Sequence, residues 1–329
     1  MTTTPWLSIL IPAYNVEAYL LACIESVTAQ ADTSIEIIVI DDRSTDNTKQ
    51  VLSSLALQSA IPIRILQHDV NRGLSAARNS MLDVASGEYI WFLDSDDVME
   101  PGAIQQLKAI VERHKPDLIM CDFRVLREKQ TAKHRLRGEN HRHSFVGEAN
   151  KLSHDPVKLF YGLYKKGELH IWSKITKRAL WGDDLRFPVD KYMEDMVLTP
   201  RLVLRAESYF YQPNVWVAYR QRPGSILSTP SLKKIDDAAV GNDGVLAAWL
   251  ARYPQLTAHS RLAFSHYCAR THYVVMRDLR RWNPEQFDLH KSRYRSQLIK
   301  NIHWTALQLC WQYAKRGLFS RLLRFVIRY

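Results

Sequence analysis

The residues best suited to chemistry lie in one stretch, 88–97, which reads Glu-Tyr-Ile-Trp-Phe-Leu-Asp-Ser-Asp-Asp. Tyr89 to Leu93 is an apolar run and reads as a strand buried on both faces. Asp94, Ser95, Asp96 and Asp97 follow at once. Unpaired carboxylates are too costly for a core. They belong at the C-terminal mouth of the strand, where open α/β sheets bind ligands. Asp94 and Asp96 can offer two hard oxygen ligands to one divalent ion, and Mg2+ or Mn2+ held there can bridge to a diphosphate. A solvated turn before a helix can look the same, so the stretch needs support from elsewhere.

Other strand ends supply it. Residues 6–12 read as a buried strand ended by Pro12, with Ala13, Tyr14 and Asn15 after it. Residues 36–40 read as a second strand, ending in Asp41-Asp42-Arg43-Ser44-Thr45-Asp46, with Ser44 expected to cap the next helix. A third strand at 61–66, a turn at Asn71-Arg72-Gly73, a helix at 74–85 carrying Arg78 and Asn79, and a fifth strand at 117–123 continue the pattern. Helices are expected at 17–30 and from Pro101 to about 114. Such alternation means a parallel sheet with right-handed crossovers. Tyr14/Asn15, Asp41/Asp42 and Asp94/Asp96/Asp97 then share one sheet edge, and Arg78 joins them. An aromatic, several carboxylates and an arginine in one crevice suit a nucleotide. Neither Gly-x-Gly-x-x-Gly nor Gly-x-x-x-x-Gly-Lys occurs, so dinucleotide and P-loop sites are unsupported.

Residues 124–153 are polar and expected to form a solvated, mobile loop, with a flexible lid or an acceptor-side loop as the alternative. His134, His141 and His143 show no neat ligand spacing there and are not expected to hold a metal. Helical patterns follow at 157–164 and 171–181. Met193-Glu194-Asp195-Met196 opens a helix to about 204, and a carboxylate there also suits the helix dipole. Residues 208–211 and 215–219 read as a strand pair around Pro213-Asn214. Arg220-Gln221-Arg222-Pro223-Gly224-Ser225 is a basic turn suited to an anion.

Beyond 232 only helices are expected, at 235–252, 257–281, 284–301 and 303–328. The net charge of +11 sits in this part: residues 261–329 hold 14 Lys/Arg against 3 Asp/Glu, and residues 1–260 balance. In the last helix Trp304, Leu307, Trp311, Ala314, Leu318, Leu322, Phe325 and Tyr329 form one apolar stripe beside Lys315, Arg316, Arg321, Arg324 and Arg328, with Gly317 a weak point. This suits a membrane surface, packing on earlier helices, or a second copy of the chain. No apolar run approaches the roughly 20 residues that span a bilayer. The N-terminus lacks a signal-peptide pattern. Cys23, Cys121, Cys268 and Cys310 read as reduced residues of a cytosolic protein. A nucleic-acid-binding role for the basic tail is disfavoured, because its apolar stripe is too wide for a solvated groove.

Ser8-Ile-Leu-Ile-Pro-Ala-Tyr-Asn15, Ile40-Asp-Asp-Arg-Ser-Thr-Asp46, Asn71-Arg-Gly-Leu-Ser-Ala-Ala-Arg-Asn79, Phe92-Leu-Asp-Ser-Asp-Asp97, Glu194-Asp195 and Tyr219-Arg-Gln-Arg-Pro-Gly-Ser225 together resemble a family 2 glycosyltransferase of the GT-A fold, bacterial surface-polysaccharide type. The resemblance implies an α/β GT-A domain over 1–230, with a nucleotide-sugar half (1–123) and an acceptor half (124–230), then a basic helical region over 231–329. It implies that Tyr14 stacks on the base near Pro12, that Asp42 accepts from the base beside Asp41, and that Arg78 reaches the base or phosphates. Asn15, Glu17, Ser95 and Arg222 complete the expected donor site. Asp94 and Asp96 would hold Mn2+ or Mg2+, with Asp94 near the ribose, and Asp195 would be the general base. The implied activity is an inverting hexosyl or N-acetylhexosaminyl transfer. The donor is a nucleotide sugar, UDP-linked, and the acceptor a glycan or lipid-linked glycan of surface polysaccharide or lipopolysaccharide synthesis. The expected setting is cytoplasmic, with 303–329 touching the inner membrane face. The rival reading is a GT-A-fold binding protein without activity. Arg43 departs from the family, which more often has Gly at that position.

Overall fold

The computed structural model describes residues 4–222 and 231–328. Pro223, Gly224 and Ser225 of the basic turn, and Tyr329, lie outside the described residues. In chain order the first half comprises β1 (Leu7–Ala13), α1 (Leu20–Thr28), β2 (Ile35–Asp41), α2 (Thr48–Gln58), β3 (Ile63–Gln67), α3 (Leu74–Val84), β4 (Tyr89–Phe92), β5 (Val98–Met99), α4 (Ala103–His114) and β6 (Leu118–Leu126). There follow α5 (Ala132–Leu136), β7 (Leu152–Ser153), α6 (Pro156–Lys166), β8 (Lys174–Lys177), α7 (Glu194–Arg205) and β9 (Tyr209–Arg220). The last helices are α8 (Leu232–Val240), α9 (Val245–Arg252), α10 (Ala258–Trp282), α11 (Phe287–Ile302), α12 (Ala306–Lys315) and α13 (Phe319–Arg328).

The strands form one sheet in the order β3-β2-β1-β4-β8-β6-β9-β5, with β7 also on β9. The first four are parallel, as their alternation with helices requires. β8 then runs antiparallel between β4 and β6, so the second half of the sheet is mixed. The helix expected at 171–181 is instead two short 3-10 turns flanking β8. Ile175 is buried on one face of it and Lys174 and Thr176 on the other, and burial on both faces overrides helical spacing. The strand pair expected around Pro213-Asn214 is one long strand, β9, with its register against β6 shifted beside the proline.

Pro12 does not end β1. The strand runs to Ala13, and Pro12 pairs with Ile40 of β2. Leu93 donates to the Leu10 carbonyl on the β4 side, and β4 stops at Phe92. Two residues on, Pro12 turns its missing N–H to that same side, past the end of the ladder, so no sheet bond is lost.

Apolar residues of β1, β2 and β4 are fully buried against α1 and α4 on one face and against α3 on the other. Each such side chain contributes about 1.5–3 kcal/mol. The third apolar cluster joins β6 and α6 to α9, α10, α12 and α13, through Phe160, Trp249, Phe264, Tyr313 and Phe325 among others. The expected division at 230–231 therefore runs through a shared core. The helix expected at 303–328 breaks at Gly317 (φ +66°) into α12 and α13.

Candidate active site

Each cluster residue is placed by the end of an element. β4 stops at Phe92, and a turn closed by Asp97 N–H donating to the Asp94 carbonyl (2.9 Å) leaves Asp94 and Asp96 half-buried at the mouth. Ser95 and Asp97 point inward and are buried. β5 then pairs with β9 and brings Arg220 to the same turn. Arg220 donates its backbone N–H to Asp97 Oδ1 (2.7 Å) and its Nε–H to the Asp96 carbonyl (2.7 Å). Arg222 donates Nε–H to Asp96 Oδ2 (2.7 Å). Both guanidinium groups lie over Tyr19, 5.2 and 5.3 Å from its ring centre.

Arg78 is the hub. It is 1% exposed in the first turns of α3. Its Nη2 donates to Asp94 (2.8 Å), and its Nη1 donates to Glu194 (2.7 Å) and Asp195 (3.5 Å) at the start of α7. Phe187 lies 5.1 Å beneath it. Asn79 fixes that ring by exchanging two hydrogen bonds with the Phe187 backbone, at 2.9 and 2.8 Å. Both terminal nitrogens of Arg78 thus meet carboxylates, and its Nε–H meets no acceptor among the described residues. The three carboxylates, Asp94 foremost, raise its pKa against burial. Asp195 also accepts from the Ile171 N–H (3.2 Å). Burial pushes the Glu194 carboxyl up, against the pull of Arg78.

The first two strand ends are laced together. Asn15 N–H donates to Ser44 Oγ (3.1 Å), and Thr45 N–H donates to Asn15 Oδ1 (2.8 Å). Asn47 N–H donates to Glu17 Oε2 (2.8 Å). Asn15 and Glu17 thus tie the two loops together. Ser44 is not the cap of α2, which begins at Thr48 after Asn47. Asp41 accepts from Ser44 N–H (3.0 Å) and Gln67 (3.4 Å). Asp42 is buried and accepts from Arg72 N–H (2.9 Å) and Gly73 N–H (2.7 Å), with His68 Nδ1 at 2.6 Å. Gly73 has φ +82°, which glycine adopts without strain. A base that met Asp42 would share oxygens already engaged by the 68–73 loop. Tyr14, 46% exposed, presents an open aromatic at this edge, and Pro12 is buried behind it.

Negative charge is in excess around the β4 turn. Burial, then Asp94, pushes the Asp96 carboxyl up, and burial, Asp94 and Asp96 push Asp97 well up. Asp97 Oδ2 meets no donor among the described residues. Closely set carboxylates that raise one another in this way form a fitting donor set for a hard divalent cation, Mg2+ or Mn2+.

Sequence reasoning put Asp97 and Arg220 at this edge without a role of their own, and gave none to Glu194 or to a wall of stacked rings. His170 and Trp172 lie 4.8 Å apart and nearly parallel, and Tyr219 stacks on Trp172 at 5.6 Å. Burial, then Asp97, Asp94 and Asp96, push the Tyr219 hydroxyl up to about 12. The period-2 spacing of Arg220 and Arg222 was the available signal for the first arginine.

Residues 8–164 match the family described as Glycosyl transferase family 2. The chain carries a family 2 glycosyltransferase domain. It is similar to glycosyltransferase GlyA of Streptococcus pneumoniae serotype 4, 31% identical over 67% of this chain and 31% of that one. It is also similar to the uncharacterized glycosyltransferase EpsJ of Bacillus subtilis, 28% identical over 71% and 66%. The chain thus spans about a third to two thirds of the length of these curated relatives. Among solved structures, S. aureus TarS 1–349 in complex with UDP-GlcNAc superposes with a TM-score of 0.60, at 19% identity, over 94% of this chain and 91% of that one. That likeness shows the fold: the glycosyltransferase domain is GT-A, followed by helices.

Proposed function

We propose that this glycosyltransferase domain is a metal-dependent inverting enzyme. It moves a sugar from a UDP-linked donor to a hydroxyl of a glycan or lipid-linked glycan in surface polysaccharide or lipopolysaccharide synthesis. The observation that carries this reading is the Arg78 hub. One buried guanidinium ties the carboxylate at the β4 mouth to the pair that opens α7. The UDP-GlcNAc bound to TarS supports a UDP-linked donor.

Tyr14 offers the base an open ring face. Asp94 and Asp96 would hold Mn2+ or Mg2+, which supplies positive charge for the diphosphate. Arg220 and Arg222 add fixed positive charge beside it. Asp195, oriented by Arg78 and the Ile171 N–H, takes the proton of the acceptor hydroxyl as that oxygen attacks the anomeric carbon. The bond from that carbon to the diphosphate oxygen breaks, and UDP leaves with the electron pair. Attack from the side opposite the leaving group inverts the centre. Base assistance of this kind contributes about 10²–10⁴-fold in rate.

The acceptor class points to a membrane face, and the surface of the last helices suits one. Leu307, Trp311, Phe319, Leu323, Val326 and Ile327 are exposed, while Leu309, Tyr313 and Phe325 face inward. The expected single stripe is thus divided between core and surface. An open cleft of about 1010 Å³ nearby is lined by Arg270, Arg277, Arg280, Arg281 and Lys291, with Ile327 at its edge. Each such cation near an anionic surface contributes about 1 kcal/mol. No described helix is long and apolar enough to cross a membrane. We therefore place the protein on the inner face of the cytoplasmic membrane.

The test is nucleotide release from UDP-, GDP-, CMP- and dTDP-sugars with an extract of lipid-linked glycans, with the product's anomeric configuration read by NMR. UDP release that requires Mn2+ or Mg2+, with an inverted product, is expected. Retention of configuration, or full activity in chelator, would contradict the reading.

A further inference from the structure

A second polar centre is built by residues that take no part in the Arg78 hub. Asp122 of β6 is fully buried. Its Oδ2 is met by His143 Nδ1 at 2.6 Å and His141 Nε2 at 2.8 Å. All three ligand atoms lie within 4.8 Å of one another. The backbone explains the convergence. Arg142 and Phe123 form an antiparallel bridge, with N–H to carbonyl bonds of 2.7 and 3.1 Å in the two directions. In extended chain, residues two apart share a face. The bridge therefore puts His141 and His143 together, on the side of β6 to which Asp122 points. His-x-His on a paired extended segment is a ligand spacing that appears only once the bridge is formed, which reopens the expectation that these histidines hold no metal.

The carboxylate is prepared for such a role. Asp122 Oδ1 accepts from Ser144 N–H (2.8 Å) and from the Tyr211 hydroxyl (2.9 Å). These bonds fix its plane and leave Oδ2 turned to the imidazoles. Supporting bonds of this kind orient metal-ligating carboxylates. Two imidazoles converge on that oxygen, with the Tyr211 hydroxyl also 3.1 Å away.

We propose that Asp122, His141 and His143 bind one Zn2+ ion, with the fourth position open to water. Two imidazoles and a carboxylate are a zinc donor set, with bonds of about 2.0–2.2 Å. Ligand atoms around such an ion stand a little over 3 Å apart, so each ring retreats by about half an ångström. The side chains of His141 and His143 are 45% and 50% exposed and have room to do so. A neutral imidazole binds through the nitrogen that now donates to Asp122 by carrying its proton on the other ring nitrogen. The ion would staple the 127–140 excursion to the sheet. Phe123, the next residue of β6, packs edge-on against Trp172 at 4.9 Å, so the staple also braces the aromatic wall of the active site.

The test uses the full chain and does not depend on glycosyl transfer. Protein stripped with chelator is loaded with ZnCl2, dialysed, and analysed for metal, and Co2+ is used in parallel for its visible bands. One zinc per chain is expected in the wild type and in Asp96→Ala, a tetrahedral Co2+ spectrum in both, and near-complete loss in His141→Ala/His143→Ala. His143→Gln keeps a donor for Asp122, and with it the fold, and should also lose most of the zinc. A wild type that retains no zinc would overturn the proposal. So would a double variant that retains as much as the wild type, or zinc that disappears in Asp96→Ala.

Discussion

Arg78 governs what the carboxylates around it can do. Removing a buried cation from three carboxylates leaves uncompensated charge, and breaking such a set costs roughly 3–5 kcal/mol. Arg78→Met should lower stability by that amount in urea titration. Arg78→Lys should recover only part of it, because a point charge cannot fork between Asp94 and Glu194. Asp195→Asn should lower turnover by about 10²–10⁴-fold with donor affinity nearly unchanged, because the amide still accepts from Ile171 but cannot take a proton. Calorimetric UDP binding measured beside turnover separates the two effects, and an equal loss of both would remove Asp195 from the base role. At this scale the sequence disclosed which residues lie together better than what they touch. Asp94, Asp96, Arg78 and Asp195 are all at the cluster. The partners of Arg78 lie 16 to 117 positions away along the chain, and no local pattern records such pairings.

Elements carry their own consequences. Arg43 sits in the left-handed region at φ +63°, where a side chain costs roughly 1–2 kcal/mol and glycine avoids that cost. Glycine gives some of the gain back in chain entropy. Arg43→Gly should therefore raise stability by about 1 kcal/mol, visible as a higher Tm. In α10, burial and then Arg321 push the His266 imidazole down to about 4 from its ordinary 6.5. The folded state then excludes a proton that the unfolded chain accepts. This contribution is complete above about pH 6.5 and is lost as pH falls toward 4. His266→Gln should flatten the loss of stability across that window in pH-dependent urea titrations. The parallel half was legible because each strand is a short apolar run ending in polar residues. β8 was not, because a strand only four residues long flanked by tryptophans carries helical spacing by accident. Pro12 misled for a related reason: whether a proline ends a strand depends on where its neighbour stops.

Over the whole molecule, the C-terminal helices share an apolar cluster with β6 and α6, so they buttress the sheet as well as carrying the basic charge. Truncation after His303 would remove Leu309, Tyr313 and Phe325 from that cluster. Surface substitutions are the cleaner probe. Trp311→Ser with Leu323→Ser should weaken sedimentation with anionic vesicles several-fold and leave Tm within a degree or two. Unchanged vesicle binding would take these helices out of the membrane role. The amphipathic character of this region was legible from spacing. Its division into core and surface was not, because Gly317 turns α13 relative to α12 and redistributes the stripe. The central claim, that the carboxylate mouth and its arginines hold a UDP-linked donor through a divalent ion, is most directly tested by thermal shift with UDP, GDP, CMP and dTDP, each with and without Mn2+. At a hundredfold excess over Kd, binding stabilises by about 2.7 kcal/mol. The account predicts a rise in Tm with UDP that requires Mn2+ and vanishes in Asp96→Ala; no shift with any nucleotide, or a shift indifferent to both metal and Asp96, would contradict it.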